Sequence, residues 1–270
     1  MPMRGPYLFV EIGVTQLVSW GARMRHLFTV VFALLTVAVS AQQPTTPVQV
    51  VTAMHDRYAE IWYHTLTFVQ RSITHKPDGT SSTEIWHEAM LSPGRLRIEF
   101  GDGSAGNGAL FVNGHEHIYR EGKQVKELDR LNPLLVLGFD IYCQPVEATV
   151  AALKELHFDL STIHEEEWNG RAVLVIGAKL GDARTAQFWI DKERLYFVRL
   201  LQPDEKQAQR TEDIRFDEYK QIEGGAWLAE HVAVESDGKL VFEEKYSDVR
   251  INPGLHSDLF DPQHFVQPKP

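Results

Sequence analysis

Between residues 66 and 252 the chain alternates apolar and polar positions in short runs, the pattern of half-buried β-strands. Turn residues separate the runs: Pro77-Asp78-Gly79 and Ser92-Pro93-Gly94 favour tight turns, while Asn113-Gly114 and Glu121-Gly122 favour hairpins. The pattern predicts about eleven strands. Because a sheet usually has roughly four to six strands, we expect this one to curl rather than lie flat.

Two stretches have a helical rather than an alternating pattern. In residues 48–61 apolar side chains recur at steps of three and four: Val51, Met54, Tyr58 and Ile61. The second stretch, residues 133–156, interrupts the strands and begins with a dense apolar set: Leu134, Leu135, Leu137 and Phe139. The sequence therefore predicts an α+β fold, mainly β, in which a strongly curved antiparallel sheet forms an incomplete barrel and helices cover its open side.

The first 41 residues have the pattern of a signal peptide. A predominantly apolar run at residues 27–39 follows Arg23 and Arg25 and precedes small residues up to Ala41. The run is shorter than the roughly 20 residues of a membrane span, although an uncleaved amphipathic anchor is the alternative. Met24 is a candidate for the true start of translation. We expect cleavage near Ala41, a periplasmic protein that starts at Gln42, one domain over residues 42–266 and a tail at 267–270.

The net charge and the single cysteine limit the kinds of partner and covalent link that we expect for this protein. The 270 residues carry a formal charge of −10, and loss of three arginines and one glutamate with the signal peptide makes it −12. Such an acidic domain is expected to repel nucleic acid and anionic membrane surfaces. Cys143 is the single cysteine, so we expect no internal disulfide, and the thiol is predicted to be buried and structural. No cysteine follows the signal for lipidation, and we expect a monomer.

Polar residues offer no recognisable catalytic motif. His115 and His117 share a strand face and could begin a metal site, but two ligands are too few, so a solvated hairpin is the preferred interpretation. Adjacent glutamates at 165–167 and 243–244 point to alternate sides of a strand, which argues against paired carboxylates and favours exposed edges. No nucleophile elbow, phosphate-binding loop or zinc-protease motif is present. We therefore predict no catalytic residues, metal or cofactor.

Several short segments together resemble one family. The order is a signal, an N-terminal helix, a strand at residues 92–100 (Ser-Pro-Gly-Arg-Leu-Arg-Ile-Glu-Phe), a strand that ends in Val112-Asn113-Gly114, mid-chain helices, and Phe188-Trp189-Ile190-Asp191. The end of the chain, from Tyr246 to Pro262, also fits. This order resembles the LolA/LolB superfamily of outer-membrane lipoprotein carriers and their relatives, over most of residues 47–266. The resemblance implies an incomplete antiparallel barrel, closed on one side by helices, that holds acyl chains in a hydrophobic cavity.

Strand parity suggests which residues line such a cavity. Each set of apolar side chains shares one side of its strand. The predicted lining residues are Leu96, Ile98 and Phe100, then Phe188 and Ile190, then Phe242 and Tyr246. The predicted lid residues are Leu134, Leu135, Leu137 and Phe139. The alternative is that these side chains form an ordinary core against the helices, which parity alone does not distinguish.

Three functions remain open at this point. The first is a soluble periplasmic carrier of lipid or lipoprotein acyl chains toward the outer membrane, with an inner-membrane transporter and an outer-membrane receptor as partners. The second is a lipid-sensing regulatory module, and the third is an enzyme with an unrecognised site. One departure from the family concerns release: the arginine that stands before the proline at 93 in the carriers, and holds the lid closed, is Ser92 here. We therefore expect a lid held mainly by apolar contact, with Arg95 and Arg97 facing solvent.

Overall fold

The computed structural model describes residues 43–204, 207 and 209–265, so the predicted signal peptide and tail lie outside the described residues. Within this part of the chain, thirteen strands form one antiparallel sheet. In chain order the strands are β1 (Thr65–His75), β2 (Ser81–Leu91), β3 (Arg95–Phe100), β4 (Gly108–Val112), β5 (His115–Arg120), β6 (Lys123–Asp129), β7 (Ile163–Trp168), β8 (Arg171–Ile176), β9 (Gln187–Asp191), β10 (Phe197–Pro203), β11 (Thr211–Gln221), β12 (Trp227–Ser236) and β13 (Lys239–Ile251). The helices are α1 (Pro47–Tyr58), α2 (Pro133–Gly138) and α3 (Val146–Glu155), with a 3-10 turn at Asp140–Tyr142 between the last two.

The predicted fold class is confirmed, and the strand count rises from about eleven to thirteen. The two further strands are β5 and β6, which follow the hairpin turns at Asn113-Gly114 and Glu121-Gly122. Asn113 and Glu121 both adopt positive φ, as tight hairpin turns require. The position of each of these short strands is therefore determined by its hairpin turn as much as by its own apolar pattern.

The sheet stays open because its two edge strands are consecutive in the chain but do not pair. The strand order runs β6-β5-β4-β3-β2-β1-β13-β12-β11-β10-β9-β8-β7, so β6 and β7 lie at opposite edges. Residues 130–162 connect these edges and carry α2, the 3-10 turn and α3. The helices interrupt the strand series at the point where the barrel would otherwise close.

Helix α1 begins with a capping box in which the Thr46 side chain accepts from Gln49 N and the Gln49 side chain accepts from Thr46 N. Its buried face consists of Val50, Val51, Met54 and Tyr58. Ile61, predicted on the same face, is instead 42% exposed, because the helix ends at Tyr58. Arg57 and Tyr58 donate to the backbone carbonyls of Glu193 and Arg194, which fixes the helix against the turn between β9 and β10.

Residues 133–156, here called the lid segment, form the predicted helical cover. Asn132 caps α2 by accepting from Leu134 N at 2.9 Å and Leu135 N at 3.2 Å, and Pro133 occupies the first turn. The 3-10 turn contacts α1, and α3 packs against α1 and α2. Among the residues that the structure describes, no helix is both long and apolar enough to cross a bilayer.

The outer face of the sheet carries a second, smaller core. Phe260 and Phe265, from the segment after β13, pack on side chains of β4 and β5. Phe265 stacks on Tyr119 with ring centroids 3.9 Å apart, and Arg97 lies over the same Phe265 ring at 4.2 Å. The expectation that Arg97 faces solvent is therefore wrong: its strand parity does point outward, but the C-terminal segment covers that face and leaves Arg97 7% exposed. Arg95 is half-buried.

Candidate ligand-binding cavity

The seven predicted lining residues all lie on the concave face of the sheet. Directly paired residues share a face, and the pairs connect them: Phe100 to Trp86 to Gln70 to Tyr246, and Phe242 to Val234 to Ile214 to Leu200 to Phe188. Leu96, Ile98 and Ile190 follow from parity within β3 and β9. Their contact with a ligand stays a prediction, because a shared face is also what an ordinary core requires.

These seven residues differ in what covers them. Phe188 and Ile190 are fully buried, and Phe188 meets Phe158, next to α3, with ring centroids 5.1 Å apart. Both therefore belong to the packed core beneath the helices. Leu96 and Ile98 are half-buried at the margin of that core. Phe100, Phe242 and Tyr246 are also half-buried, and all three lie in an aromatic patch described below.

The lid residues separate in the same way. Leu135 and Leu137 are 3% and 0% exposed and form part of the main core, while Leu134 and Phe139 are half-buried on its margin. Phe139 faces Tyr63 with ring centroids 6.2 Å apart. The lid segment thus packs on the rest of the core through apolar side chains, and this is one of two kinds of contact that it makes.

Beneath the lid segment the space is filled by aromatic side chains. Trp62 stacks on Tyr142 at 3.7 Å between ring centroids and on Tyr63 at 5.1 Å, and Tyr58 meets Trp62 edge-on at 5.0 Å. The void left between this cluster and the sheet, near Phe216 and Tyr246, has a volume of about 10 Å³. That is room for a single water at most, so a ligand enters only if the lid segment moves.

A larger opening lies beside α2. A cleft of about 460 Å³ runs between β5 and β6 on one side and β10 and β11 on the other. Strands from distant parts of the sheet face each other across it, which shows how strongly the sheet curves. Its lining is mixed: Ile118, Leu128, Leu134 and Ile214 are apolar, and the polar members include Arg130 and Glu116, which pair at 2.8 Å. The cleft has the size of a small-ligand site, usually about 300–1,000 Å³.

The second kind of lid contact is polar and joins Ser92 to Asp140. Ser92 Oγ donates to Asp140 Oδ1 at 2.8 Å, and Gly94 N lies 3.1 Å from both carboxylate oxygens. Asp140 is 2% exposed, so its carboxylate relies on these donors. Burial raises the pKa of Asp140 to about 6, although hydrogen bonds from Ser92 and Gly94 act to lower it. The sequence predicted a lid held mainly by apolar contact. The structure adds a polar contact at Ser92, because an aspartate on the lid segment supplies the acceptor.

A buried polar group also interrupts the apolar concave face. Glu88 is 8% exposed and pairs in register with Phe68 and Ile98. Glu244 lies on the same face, where Tyr246 Oη donates to it at 2.7 Å. The prediction that residues 243–244 form an exposed edge is wrong, because Glu243 and Glu244 are both half-buried and β13 lies inside the sheet between β1 and β12. Burial raises the pKa of Glu88 well above its usual range and that of Glu244 to about 7.

The histidines lie on the outer face, away from this cavity. His117 is 7% exposed, with Nδ1 3.3 Å from Gln124 Oε1, so the predicted solvated hairpin is wrong for this side chain. Asp217, Glu218 and His231 present ligand atoms within 4.8 Å of one another. His231 Nδ1 already lies 2.6 Å from Asp217 Oδ1 and Nε2 3.2 Å from Glu243 Oε1, an arrangement that suits a protonated imidazole at least as well as a metal.

Cys143 lies in the lid segment with its Sγ 3.6 Å from the Phe139 carbonyl oxygen. Burial raises the pKa of the Cys143 thiol to about 11, so the thiol is protonated at neutral pH and is a poor nucleophile. The cysteine therefore fits the structural role predicted for it.

Sequence reasoning missed Asp140 and Glu88. Asp140 carries the single charge between residues 133 and 146, and a lone acidic residue in so apolar a run is a signal of a buried polar contact. Glu88 gives no such signal, because it follows an alternating strand in which a polar residue is equally expected on the outer face.

The fold of the described residues is similar to that of three solved structures, one of which is described as a LolA superfamily protein. The predicted resemblance is confirmed at this level. A domain described as that of an outer membrane lipoprotein-sorting protein from Vibrio parahaemolyticus is 18% identical, with a TM-score of 0.55 over 82% of this chain and 98% of that one. A DUF1329 family protein from Desulfovibrio piger is 16% identical, with a TM-score of 0.53 over 82% and 100%.

A LolA superfamily protein from Nitrosomonas europaea is 12% identical, with a TM-score of 0.50 over 79% of this chain and 98% of that one. No protein-family model matches the sequence, and no curated protein matches it. The likeness therefore rests on solved structures of low identity and shows the fold alone.

Proposed function

We propose that this protein is a periplasmic carrier that shelters the acyl chains of a lipid or lipoprotein on the concave face of its sheet, for transport toward the outer membrane. The observation that supports the proposal most directly is the lid segment. Its leucines complete the apolar core, yet a cleft of about 460 Å³ remains open beside it. An apolar face under a detachable cover is what a carrier needs, because each CH₂ of an acyl chain exposed to water costs about 0.8 kcal/mol.

The binding residues in this proposal are the half-buried members of the concave face. Leu96 and Ile98 lie at the margin of the core, next to the aromatic patch that contains Phe100, Phe242 and Tyr246. When the lid segment moves, these side chains lose little of their own packing and can contact an acyl chain. Phe188 and Ile190 form the floor of the cavity and stabilise the fold.

The proposed role draws on the lipoprotein-sorting domain and the LolA superfamily protein that share the fold. A carrier of this kind needs a donor at the inner membrane and an acceptor at the outer membrane, so we propose a transporter and a receptor as partners. The proposed role is acyl binding and assigns no catalytic residue, metal or cofactor to the site.

The experiment is to produce the full chain with its own N-terminal segment, recover the periplasmic form, and identify bound lipids by mass spectrometry. Displacement of an environment-sensitive fluorescent fatty acid then gives an affinity. In the variant Ile98→Glu a charge on the cavity wall should weaken binding about tenfold or more. Leu180→Glu is the matched control, because Leu180 is 73% exposed and outside the cavity.

Wild-type protein that carries no lipid and does not bind the fatty acid would overturn the proposal. Equal binding by Ile98→Glu and wild type, with unchanged melting temperature, would remove this face from the site. A stable complex with one membrane protein, together with bound lipid, would favour the regulatory module over the carrier.

A further inference from the structure

Two carboxyl groups and several aromatic rings lie together on the concave face, beyond the part covered by the helices. We call this group the aromatic–carboxyl patch, and its members are Trp86, Glu88, Phe100, Phe242, Glu244 and Tyr246. The members lie on three strands, β2, β3 and β13, and β1 runs between β2 and β13. Gln70 lies at its centre on β1, paired with Trp86 on one side and Tyr246 on the other.

Glu88 is the member that needs an explanation. Its side chain points to the concave face between Phe68 and Ile98, and the residue is 92% removed from solvent, with 8% exposed. Among the described residues no hydrogen-bond donor and no cation reaches its carboxyl group, and the charged group that acts on it is Glu244. Burial without a partner disfavours the charged form of this carboxyl group, and a ligand that supplied a positive charge would stabilise that form.

Glu244 is better satisfied but carries the same sign. It accepts from Tyr246 Oη at 2.7 Å and from the Gln70 side chain, whose Nε2 also donates to Ser72 Oγ at 2.9 Å. Burial raises the pKa of both carboxyl groups, which is the expected response of two like-charged acids in an apolar wall. Glu88 pairs with Phe68 and Glu244 with Ser72, so the two groups lie at different levels of the same face, on either side of Gln70. A cation near either group would favour its ionised form.

The aromatic rings indicate what kind of cation fits. Trp86 has ring centroids 4.7 Å from Phe100 and 5.8 Å from Phe242, and Tyr246 lies 4.3 Å from Phe68. Trp86, Phe100 and Phe242 are half-buried, so part of each ring remains open to the concave side. Aromatic faces beside carboxylates are the surroundings that stabilise an organic ammonium group, through cation–π attraction and charge together. A metal ion would instead require several oxygen or nitrogen ligands at short distance.

We propose that the aromatic–carboxyl patch binds the ammonium group of an amphiphile whose acyl chain lies along the concave face. This inference rests on the proposed function and names the headgroup chemistry of its ligand. A primary or a quaternary ammonium satisfies the same side chains: Glu88 and Glu244 supply the charge, and Trp86 with its neighbours supplies the aromatic faces. The overall acidity of the chain, −10 in formal charge, favours a cationic over an anionic headgroup.

The test compares three lysophospholipids with the same acyl chain, used below their micelle concentration: a choline, an ethanolamine and a glycerol headgroup. Displacement of the fluorescent fatty acid from the periplasmic form of the protein gives the three affinities. We expect the two ammonium headgroups to bind about tenfold or more tightly than the glycerol headgroup. The choline-to-ethanolamine ratio distinguishes a quaternary from a primary ammonium ligand.

In the variant Glu88→Gln the ratio of the affinities for the ammonium and glycerol headgroups should fall close to one. The affinity for the ammonium lipids should decrease, while the affinity for the glycerol lipid should stay within about threefold of the wild-type value. The melting temperature of this variant should stay close to that of wild type, because burial already favours the neutral form of Glu88, which glutamine resembles in size and charge. Glu244→Gln is the second variant and should reduce the preference in the same direction. Glu243→Gln is the matched control, because Glu243 is the adjacent residue on the outer face, bonded to His75 and His231.

Equal affinities for all three headgroups, or a preference that persists in Glu88→Gln and Glu244→Gln, would overturn this inference while leaving acyl binding intact. If no lysophospholipid binds and the fatty acid does not bind either, the proposed function fails as well. The two failures are therefore distinguishable in one set of measurements.

Discussion

The variant Ser92→Ala tests whether a polar contact helps to hold the lid segment closed. Ser92 Oγ donates to Asp140 Oδ1 at 2.8 Å across 48 residues of sequence, from the turn before β3 to the 3-10 turn of the lid segment. Removing the hydroxyl leaves Gly94 N as the donor that remains to this carboxylate. The carboxylate cannot turn to water, because Asp140 is 2% exposed.

The expected effect follows from the charge on the acceptor. Above the pKa of about 6 Asp140 is mostly ionised, and a hydrogen bond to a charged group is worth about 1.5–3 kcal/mol. Since each 1.4 kcal/mol is a factor of about ten, opening of the lid segment should become about ten to a hundred times more frequent. Leu137→Ala removes a fully buried side chain and should cost about 2–5 kcal/mol, so polar and apolar contacts are of comparable size.

Hydrogen exchange measured by mass spectrometry at pH 7.5 reports this opening directly. Protection of amides across residues 133–156 should fall in Ser92→Ala, while that of the strands β8 to β12 stays near the wild-type value. Ser104→Ala is the matched control, since Ser104 Oγ donates to Asp102 Oδ1 at 2.6 Å in an exposed turn. Unchanged protection in Ser92→Ala, beside a clear loss in Leu137→Ala, would refute the reasoning and leave apolar packing alone to hold the lid segment.

The same carboxyl group gives the lid a dependence on pH with a definite sign. Burial raises the pKa of Asp140 from 3.8 to about 6, so the closed lid binds a proton more tightly than the open one. This contribution is fully present below about pH 4 and is lost as the pH rises through about 6. Protection factors of the lid segment should therefore fall between about pH 4 and 6 in wild type and level off above that range, and Asp140→Asn should remove that slope. A slope that persists in the variant would assign it to another group.

Three further predictions concern the outer face and the N-terminus. Arg97→Ala breaks a buried pair with Glu99 (2.8 Å) and the bonds to the C-terminal segment, so it should cost about 3–5 kcal/mol in urea unfolding, whereas Arg95→Ala should change stability by about 0.5 kcal/mol or less. Burial acts to lower the pKa of His231, but the hydrogen bond and charge of Asp217 outweigh burial, so the net pKa is raised. Protonated His231 therefore stabilises the folded protein fully below about pH 6.5, and this stabilisation is lost as the pH rises through the folded pKa. His231→Gln should flatten the resulting decline in melting temperature. N-terminal sequencing of the periplasmic form should begin near Gln42, and an intact N-terminus in the membrane fraction would contradict this.

The sequence by itself determined the local architecture, because turns and alternation act between near neighbours. Asn113-Gly114 and Glu121-Gly122 fix hairpins through backbone geometry, and the period of two in each strand sorts its side chains into two faces. The apolar run at residues 133–139 was too dense for a surface helix, which placed a helical cover in the middle of the series. These signals were sufficient for the fold class and the family resemblance.

Only the tertiary structure decided what packs on each face of the sheet. Alternation shows which side chains share a face, but it does not show which other segment covers that face. Arg97 points outward as parity requires, yet it is buried because the segment around Phe265 folds over it. Ser92 meets Asp140 only because the lid segment lies across the sheet, and Glu88 and Glu244 share a face only because β1 pairs with both β2 and β13. Contacts between residues far apart in the chain depend on curvature and on strand order. No local pattern encodes either, and the polar groups of the candidate site therefore emerged from the fold.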